Sequence, residues 1–340
     1  YEIPVTDIYY VEGVDNAVFI YGRKKVYESK QKLYELEGSL REKYTYDDLN
    51  QLTRHDSAVQ NKTYTYTYDD AGNLLEKKTY AYTTGTLGEA EDTVTYQYST
   101  GSWKDLLTSY DGTAITYDAI GNMKTFGDKS FTWQGRNLRT FTEGTDQSSY
   151  VYNAEGIRTK KTVNGTTTEY FLNGDQILAE VTDGSAIWYF YDSQGHRTGL
   201  MQDGKAYYYL YSIQGDVIGL ARATTGKIVA TYKYDAWGNC RVVNAEGHTI
   251  GNDNPFRYRG YYYDEESGLY YLNSRYYDPE VGRFISADSE ICGVGGDITG
   301  YNLYSYCGNN PVNRIDPDGH AWKDVKNWFS NTWNKVKKTA

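Results

Sequence analysis

The stretch that decides the fold is YTYDDAGNL at residues 66–74, in which two tyrosines separated by one residue precede an Asp-x-x-Gly-Asn sequence. Side chains alternate along a strand, so the Tyr-x-Tyr pair places two rings on one face. Asp accepts hydrogen bonds from backbone amides further along a turn, and the following Gly supplies the left-handed conformation of a bulged hairpin loop. The stretch therefore predicts a strand, a tight turn and a second strand.

The same pattern recurs along the chain, and neighbouring copies are separated by about twenty residues. Clear copies are YDAIGN at residues 117–122 and YDAWGN at residues 234–239, and weaker copies surround residues 46, 133, 152, 191 and 211. One hairpin cannot bury its apolar face alone, so the hairpins are expected to pair into one long spiralling sheet. Turn chemistry accounts for the repeated Tyr, Asp and Gly, which favours a structural role for them.

The composition also predicts an all-β protein. The chain has 39 Tyr against 9 Phe and 2 Met, so its apolar surfaces consist mainly of rings with a polar hydroxyl at the tip. The 34 Gly and 5 Pro, with many Thr and Val, favour short strands joined by tight turns. The net charge of −10 disfavours a nucleic-acid surface, which requires clustered Lys and Arg.

Several classes of site are disfavoured by the motifs that the sequence lacks. It contains no phosphate-binding loop, dinucleotide fingerprint or metalloprotease helix motif, and its four histidines have no metal-ligand spacing. Cys240, Cys292 and Cys307 are too few for a disulfide scaffold or a zinc site, although Cys292 and Cys307 are candidates for pairing. We therefore expect no cofactor and no metal, and a conventional turnover enzyme is disfavoured. No apolar run of about 18 residues occurs, and the start at Tyr1, without a leader, suggests an excised piece.

A second distinctive segment is FRYRGYYYDEESGLYYLNSRYYDPEVGRFISA at residues 256–287, followed by NLYSY at 302–306 and NNP at 309–311. Together these resemble the core-associated segment of the rearrangement-hot-spot (RHS) family, also called YD-repeat proteins. With the upstream repeats, the resemblance covers residues 44–320. It implies a sheet wound into a hollow, cocoon-like shell, a core segment that plugs one end, and a variable C-terminal toxin held inside.

Four regions are predicted on this basis. They are entry strands of a truncated repeat region at 1–43, a YD-repeat β-shell at 44–254, an RHS repeat-associated core at 255–320, and the start of a variable region at 321–340. The last region carries five Lys against one Asp and has apolar residues at helical spacing, which predicts a short C-terminal helix. We favour an amphipathic helix that begins a downstream domain over one that lies on anionic lipid.

The resemblance also implies self-cleavage. The family's core often ends in Pro-x-x-x-x-Asp-Pro-x-Gly-Leu, and PVNRIDPDGH at residues 311–320 matches this pattern except at His320. The cut bond would then be His320–Ala321. Cleavage by aspartates requires two carboxylates close enough to share one proton. The resemblance assigns Asp316 as one of the two.

The partner of Asp316 has two candidates. The family position maps to Asp288, which is followed by Ser289 where the family commonly has Pro, and Asp297 is the second candidate. Arg283 is predicted to orient or neutralise the pair. The alternative is that residues 316–319, Asp-Pro-Asp-Gly, form only a tight turn that closes the plug, and the two interpretations are compatible.

Two functions from different classes follow from these patterns. The first is a secreted or surface-delivered bacterial shell that encloses its own C-terminal toxin domain, with an immunity protein and delivery partners, and releases the toxin by aspartyl self-cleavage. The second is a surface adhesion or carbohydrate-binding scaffold without a toxin, in which exposed aromatic rings bind cell-surface glycans. Neither function requires the shell to bind nucleic acid.

Overall fold

The computed structural model describes residues 8–14, 17–22, 26–29, 42–212, 214–289 and 298–325. In this part of the chain nearly all regular structure is strand, with one α-helical turn at Ile250–Asp253 and short 3₁₀ turns at Tyr258–Gly260, Ile298–Tyr301 and Cys307–Asn309. The all-β prediction is confirmed. Most of the predicted C-terminal helix lies outside the described residues, and of its described positions Lys323–Asp324 form a short strand.

The strands form three groups in chain order. A first antiparallel sheet contains β1 (Ile8–Val14), β2 (Ala17–Gly22) and β3 (Val26–Ser29). The main sheet contains β4 (Glu42–Tyr46), β5 (Leu52–Ser57), β6 (Lys62–Tyr68), β7 (Leu74–Ala81), β8 (Asp92–Tyr98), β9 (Leu107–Tyr110), β10 (Thr113–Tyr117), β11 (Met123–Phe126), β12 (Lys129–Gln134), β13 (Asn137–Glu143), β14 (Asp146–Tyr152), β15 (Arg158–Val163), β16 (Thr166–Asn173), β17 (Gln176–Thr182), β18 (Ser185–Tyr191), β19 (Arg197–Gln202), β20 (Lys205–Tyr211), β21 (Val217–Arg222), β22 (Ile228–Tyr234) and β23 (Cys240–Asn244). The core segment contains β24 (Tyr262–Asp264), β25 (Leu269–Tyr271), β26 (Tyr276–Asp278) and β27 (Arg283–Phe284), followed by the pair β28 (Arg314–Ile315) and β29 (Lys323–Asp324).

Strands β4 to β23 form one antiparallel sheet in which each strand pairs with the next along the chain. In hairpin after hairpin the register shifts at the tyrosine that precedes the turn, as between Thr67 and Tyr68 or between Phe190 and Tyr191. Such bulges bend a strand and increase its twist, which explains why the sheet curves. The sheet is not closed by a ladder between its first and last strands, but Gln60 Nε2 donates to the carbonyl of Tyr234 at 3.1 Å and connects its two ends.

The repeat turn has the predicted chemistry. Asp69 Oδ1 accepts hydrogen bonds from the amides of Ala71 at 2.9 Å and Asn73 at 2.8 Å, and its Oδ2 accepts one from Asn73 Nδ2 at 2.9 Å. Gly72 has a φ of 74°, in the left-handed region that favours glycine. The turns at residues 118–122 and 235–239 contain the same three bonds. Asp, Gly and Asn therefore act together to fold each hairpin.

Replacing Asp69 with alanine is expected to lower the free energy of unfolding by about 1 to 3 kcal/mol, because two backbone amides and the buried Asn73 amide lose their acceptor. The measurement is urea unfolding followed by circular dichroism. Asp70→Ala is the matched control, since Asp70 is the exposed neighbour in the same turn. Equal unfolding midpoints for the two variants would contradict the assigned role of Asp69.

In five of the described hairpins, the tyrosine before the turn also bonds to the preceding hairpin. Tyr68 Oη donates to the carbonyl of Leu52 at 2.7 Å, and Leu52 begins the second strand of the preceding hairpin. The same bond recurs from Tyr98 to Leu74, from Tyr191 to Ile177, from Tyr211 to Arg197 and from Tyr234 to Val217. Each of these tyrosine hydroxyls therefore forms a hydrogen bond between neighbouring hairpins, which a phenylalanine at the same position could not form.

The two faces of the sheet differ. On one face, Tyr170, Tyr189 and Tyr209 are buried against the core segment, as in the edge-to-face contact of Tyr189 with Phe256 at 4.8 Å between ring centroids. On the other face, Trp188 and its neighbours are half exposed. The core segment therefore packs inside the curve of the sheet.

The core segment is bound to the rim formed by the repeat turns. Tyr270 Oη donates to the carbonyl of Gly238 at 2.9 Å and Tyr304 Oη to that of Gly121 at 2.7 Å. Asn309 Nδ2 donates to the carbonyl of Gly72 at 2.7 Å. The Gly-Asn turns thus have a second use, as acceptors for the core, in addition to folding the hairpin. The plug predicted at residues 255–320 stays a prediction.

Asp278 in the core gives a pH-dependent prediction. Its Oδ1 accepts from the amides of Glu280 at 2.9 Å and Val281 at 3.2 Å, and burial raises the pKa of this carboxyl to about 6. A raised carboxyl pKa means that folding favours the protonated form, so stability is lost as the pH rises through about 6.

Asp278→Asn retains the acceptor oxygen without the charge. We expect this variant to be more stable than the parent by about 2 to 3 kcal/mol at pH 7.5 and to lose that advantage below about pH 4. Thermal unfolding at the two pH values measures this difference. A gain that is the same at both pH values would show that the buried charge is not its cause.

Candidate functional site

Two carboxylates that are distant in the sequence lie together in the core. Asp288 follows β27, and its amide donates to the carbonyl of Leu303 at 2.9 Å. Asp316 follows β28, and its amide donates to Tyr261 Oη at 3.1 Å. Both side chains are buried, with Asp288 7% and Asp316 2% exposed. The backbone of each aspartate is therefore held in place by a hydrogen bond to a different part of the core.

The two carboxylates meet at Arg275. Its Nη2 lies 2.8 Å from Asp288 Oδ2 and 3.3 Å from Asp316 Oδ2. The two carboxylate oxygens are therefore separated by no more than about 6 Å, the sum of these two distances. A guanidinium between two buried carboxylates offsets their mutual repulsion and allows them to stay close.

Burial raises the pKa of Asp316, and the nearby carboxylates of Asp318 and Asp288 act in the same direction, whereas Arg275 opposes the increase. The net direction is upward, so Asp316 holds a proton more readily than an ordinary aspartate. A pair in which one carboxyl holds a proton is what acid and base catalysis by two aspartates requires.

The backbone directly before the predicted cut is held by the same groups. Arg275 Nε donates to the carbonyl of Gly319, and the amide of Gly319 donates to Asp316 Oδ1 at 2.9 Å. A side chain at Gly319 would lie 2.6 Å from Ser274 Oγ and 2.9 Å from the carbonyl of Leu272, so only glycine fits this approach. The bond from the Gly319 amide to Asp316 closes the bend at 316–319, which is the contact expected of a tight turn. The carbonyl of Gly319 in the same bend contacts Arg275.

A cavity of about 20 Å³ lies at this point and is lined by both carboxylates, Arg275, Asn302, Ser305 and His320. This volume is sufficient for one water molecule, and the lining supplies several hydrogen-bonding groups. The arrangement therefore combines two carboxylates, space for one water molecule and the residue that precedes the predicted cut.

The other predicted site residues have different positions. Arg283 Nη1 donates to Tyr98 Oη at 2.8 Å and its Nη2 to the carbonyl of Asp105 at 2.8 Å, so it connects the core to the sheet, and within the described residues it forms no ion pair with Asp288 or Asp316. Asp297 lies outside the described residues. Sequence reasoning missed Arg275, since nothing in its spacing relates it to Asp288 or Asp316. Roles in cleavage for all of these residues stay predictions.

The other predicted features lie only partly within the described residues. Cys292 lies outside them, and the Cys307 thiol is buried in the core, where burial raises its pKa. No group of three or more His, Cys, Asp or Glu side chains in the described ranges is arranged to hold a metal ion. In the same ranges, every helix is too short or too polar to cross a membrane.

Comparison with protein families identifies one match over most of the chain. The model of the family described as Teneurin YD-shell matches residues 17–312. Among curated proteins, the tRNA nuclease WapA of Bacillus subtilis (strain 168) is 39% identical over 233 residues, which cover 66% of this chain and 10% of WapA. The double-stranded DNA deaminase toxin A of Burkholderia cenocepacia (strain H111) is 26% identical over 335 residues, which cover 87% of this chain and 22% of the toxin.

Solved structures share the fold. The crystal structure of TcdB2-TccC3 without the hypervariable C-terminal region has a TM-score of 0.65 at 20% identity and covers 89% of this chain and 17% of that one. The structure of TcdB2-TccC3-Cdc42 has a TM-score of 0.64 at 22% identity, covering 82% and 15% of the two chains. This chain therefore spans about a tenth to a fifth of the length of the proteins it resembles.

Proposed function

The chain belongs to the Teneurin YD-shell family, and from this premise we propose that it is the plugged end of a bacterial toxin carrier that cuts itself after His320. The shell encloses a polypeptide encoded downstream, and the cut separates that polypeptide from the core. The observation that carries this proposal is that Asp288 and Asp316 both contact Arg275. Arg275 also donates to the carbonyl of Gly319, the residue before His320.

Two further observations support a carrier. The relatives are RHS-type toxin proteins, and their names include a tRNA nuclease and a DNA deaminase toxin, so different activities occur with the same kind of shell. The core segment of this chain is attached to the rim of the sheet by many hydrogen bonds, which suits a plug that has to stay in place after the chain is cut. Delivery outside the producing cell and an immunity protein belong to the same proposal.

The chemistry of the cut needs no group beyond the chain and one water molecule. Asp288 takes a proton from the water while the water oxygen attacks the carbonyl carbon of His320, and the protonated form of Asp316, which burial favours, donates a proton to the carbonyl oxygen. The bond between the His320 carbon and the Ala321 nitrogen then breaks, the proton taken by Asp288 goes to the leaving amine, and the proton donated by Asp316 returns to Asp316 as the carbonyl group re-forms in the new carboxylic acid of His320. Arg275 holds both carboxylates and the Gly319 carbonyl in position.

The experiment is expression of the chain with its native downstream sequence, followed by intact mass measurement under denaturing conditions. The expected result is a fragment that ends at His320 and a second that begins at Ala321. A single uncut mass after prolonged incubation would reject self-cleavage and would leave only the enclosing function of the shell. Enclosure is tested separately by adding protease to the folded protein. A downstream polypeptide inside the shell is expected to resist the protease until the shell is unfolded.

A glycan-binding scaffold is the second candidate, and the outer face of the sheet favours it. Phe190, Gly199 and Tyr208 lie side by side on three adjacent strands, and the two rings are 43% and 57% exposed. The two exposed rings lie on the same face of the sheet, and exposed aromatic rings suit stacking on sugar rings. A glycan array with the parent chain and with Tyr208→Ala tests this, and an array without signal rejects it.

A further inference from the structure

A second and much larger cavity lies where the sheet meets the core segment. Its volume is about 560 Å³, and it is lined on the sheet side by Gln176, Ile177 and Tyr191 and on the core side by Phe256, Tyr262 and Leu272. This is within the range of small-ligand sites in proteins, which are mostly apolar with a few polar groups. The two cavities share no lining residue, so the two sites are distinct.

The guanidinium-bearing side chain of Arg197 lines this cavity. Its guanidinium carbon lies 3.1 Å from the ring centroid of Phe256, its Nε donates to Tyr191 Oη at 3.3 Å, and its Nη1 donates to the carbonyl of Gly260 at 3.3 Å. Both hydrogen bonds are long, and its Nη2 has no hydrogen-bond partner among the described residues. The guanidinium is therefore oriented by its neighbours but only partly satisfied.

Arg197 differs from two other arginines at the junction of sheet and core. Arg158 is paired with Asp264 at 2.5 Å and Arg259 with Asp216 at 3.1 Å. In contrast, no carboxylate of the described residues lies within 4 Å of Arg197. The acidic group on the adjacent turn, Asp192, is paired with His196 at 3.1 Å. Arg197 is half-buried, and although Asp175 and Asp192 also line the cavity, its positive charge is not paired with a carboxylate of the described residues.

We propose that this cavity binds a carboxylate carried on an apolar body, with the planar fork of Arg197 donating to the carboxylate oxygens. Arginine binds carboxylates with two parallel hydrogen bonds, and the pair is strongest where water is excluded. The tyrosine and phenylalanine rings around Arg197 would contact the apolar body. The ligand is either a small apolar acid or an acidic residue with an apolar neighbour on a polypeptide. This inference goes beyond the carrier function and does not depend on self-cleavage.

The test uses the full chain of 340 residues and isothermal titration with 3-phenylpropionate, with 3-phenylpropionamide as the uncharged analogue of the same shape. The acid is expected to bind at least 10-fold more tightly than the amide. Arg197→Met is expected to abolish this preference. Arg222→Met is the matched control, because Arg222 also lies over a tyrosine, Tyr207, but outside the cavity. Equal affinity for acid and amide, or an unchanged preference in Arg197→Met, would overturn the proposal.

A second measurement covers the case in which Arg197→Met does not fold. Crystals of the parent chain soaked with 3-(4-bromophenyl)propionate are expected to show anomalous bromine signal in the cavity, and its absence there would also overturn the proposal. The source of the ligand is distinguished with the peptide Ac-Phe-Glu-NH₂ and its Gln counterpart. A preference for the Glu peptide supports the site with a polypeptide ligand, and binding of the free acid alone supports it with a small-molecule ligand.

Discussion

Asp316→Asn is expected to reduce the rate of cleavage after His320 by at least about 100-fold, because asparagine cannot donate a proton to the carbonyl oxygen in the way a carboxylic acid does. Asparagine has nearly the same shape and retains an oxygen that accepts the Gly319 amide, so the bend before the cut is preserved. The measurement is a time course of intact mass for the chain with its native downstream sequence.

Asp318→Asn is the matched control for this variant. Asp318 is exposed in the same bend, accepts from the amide of His320 at 3.3 Å and favours the protonated form of Asp316 only through its charge, so its replacement is expected to slow the cut far less than Asp316→Asn does. Thermal unfolding of both variants checks that the fold is retained. Persistence of the fragment ending at His320 in Asp316→Asn, at the rate of the parent chain, would exclude Asp316 from the chemistry while leaving the shell intact.

Asp264→Asn is expected to lower the free energy of unfolding by about 3 to 5 kcal/mol, the largest effect on stability predicted for this chain. Asp264 is fully buried and receives Arg158 Nη1 at 2.5 Å, Arg158 Nη2 at 2.9 Å and Lys161 Nζ at 2.9 Å. The guanidinium of Arg158 is also surrounded by five tyrosine rings, at positions 150, 170, 262, 271 and 276. Removal of the carboxylate charge leaves two buried cations with too little compensation.

Urea unfolding of Asp264→Asn and of a control variant measures this effect. Glu169→Gln is the control, since Glu169 forms an ion pair with Lys160 in which both side chains are half exposed, and such pairs contribute little. A loss below about 1 kcal/mol in Asp264→Asn would show that the cluster does not hold the core to the sheet.

The same carboxylate predicts the direction of a pH effect. Burial favours the protonated form of Asp264, but Arg158 and Lys161 outweigh it and lower its pKa. A lowered carboxyl pKa contributes stability above about pH 4, and this contribution is lost as the pH falls through the folded-state pKa. The effect of Asp264 on stability is therefore opposite to that of Asp278, whose raised pKa destabilises the fold at neutral pH. Unfolding of Asp264→Asn and of Asp278→Asn at low and neutral pH separates the contributions of the two buried carboxylates.

Much of the sheet is predictable from the sequence because its determinants are local. Asp69 and Gly72 fold their turn through atoms within four residues of each other, and alternation along β6 and β7 fixes which rings share a face. The acceptors of the tyrosine hydroxyls were not predictable. Tyr68 bonds to Leu52, and Tyr234 to Val217, through the pairing of one hairpin with the one before it.

By itself, the sequence determined an all-β chain of Tyr-Asp hairpins and the family to which it belongs, since turn residues and strand alternation act over a few residues. Only the tertiary structure decided which groups meet in the core. Sequence reasoning selected Arg283 as the partner of the aspartates, yet Arg275 lies between Asp288 and Asp316. Contacts between such distant positions depend on how the core folds back on the rim of the sheet, and residue spacing carries no information about that path.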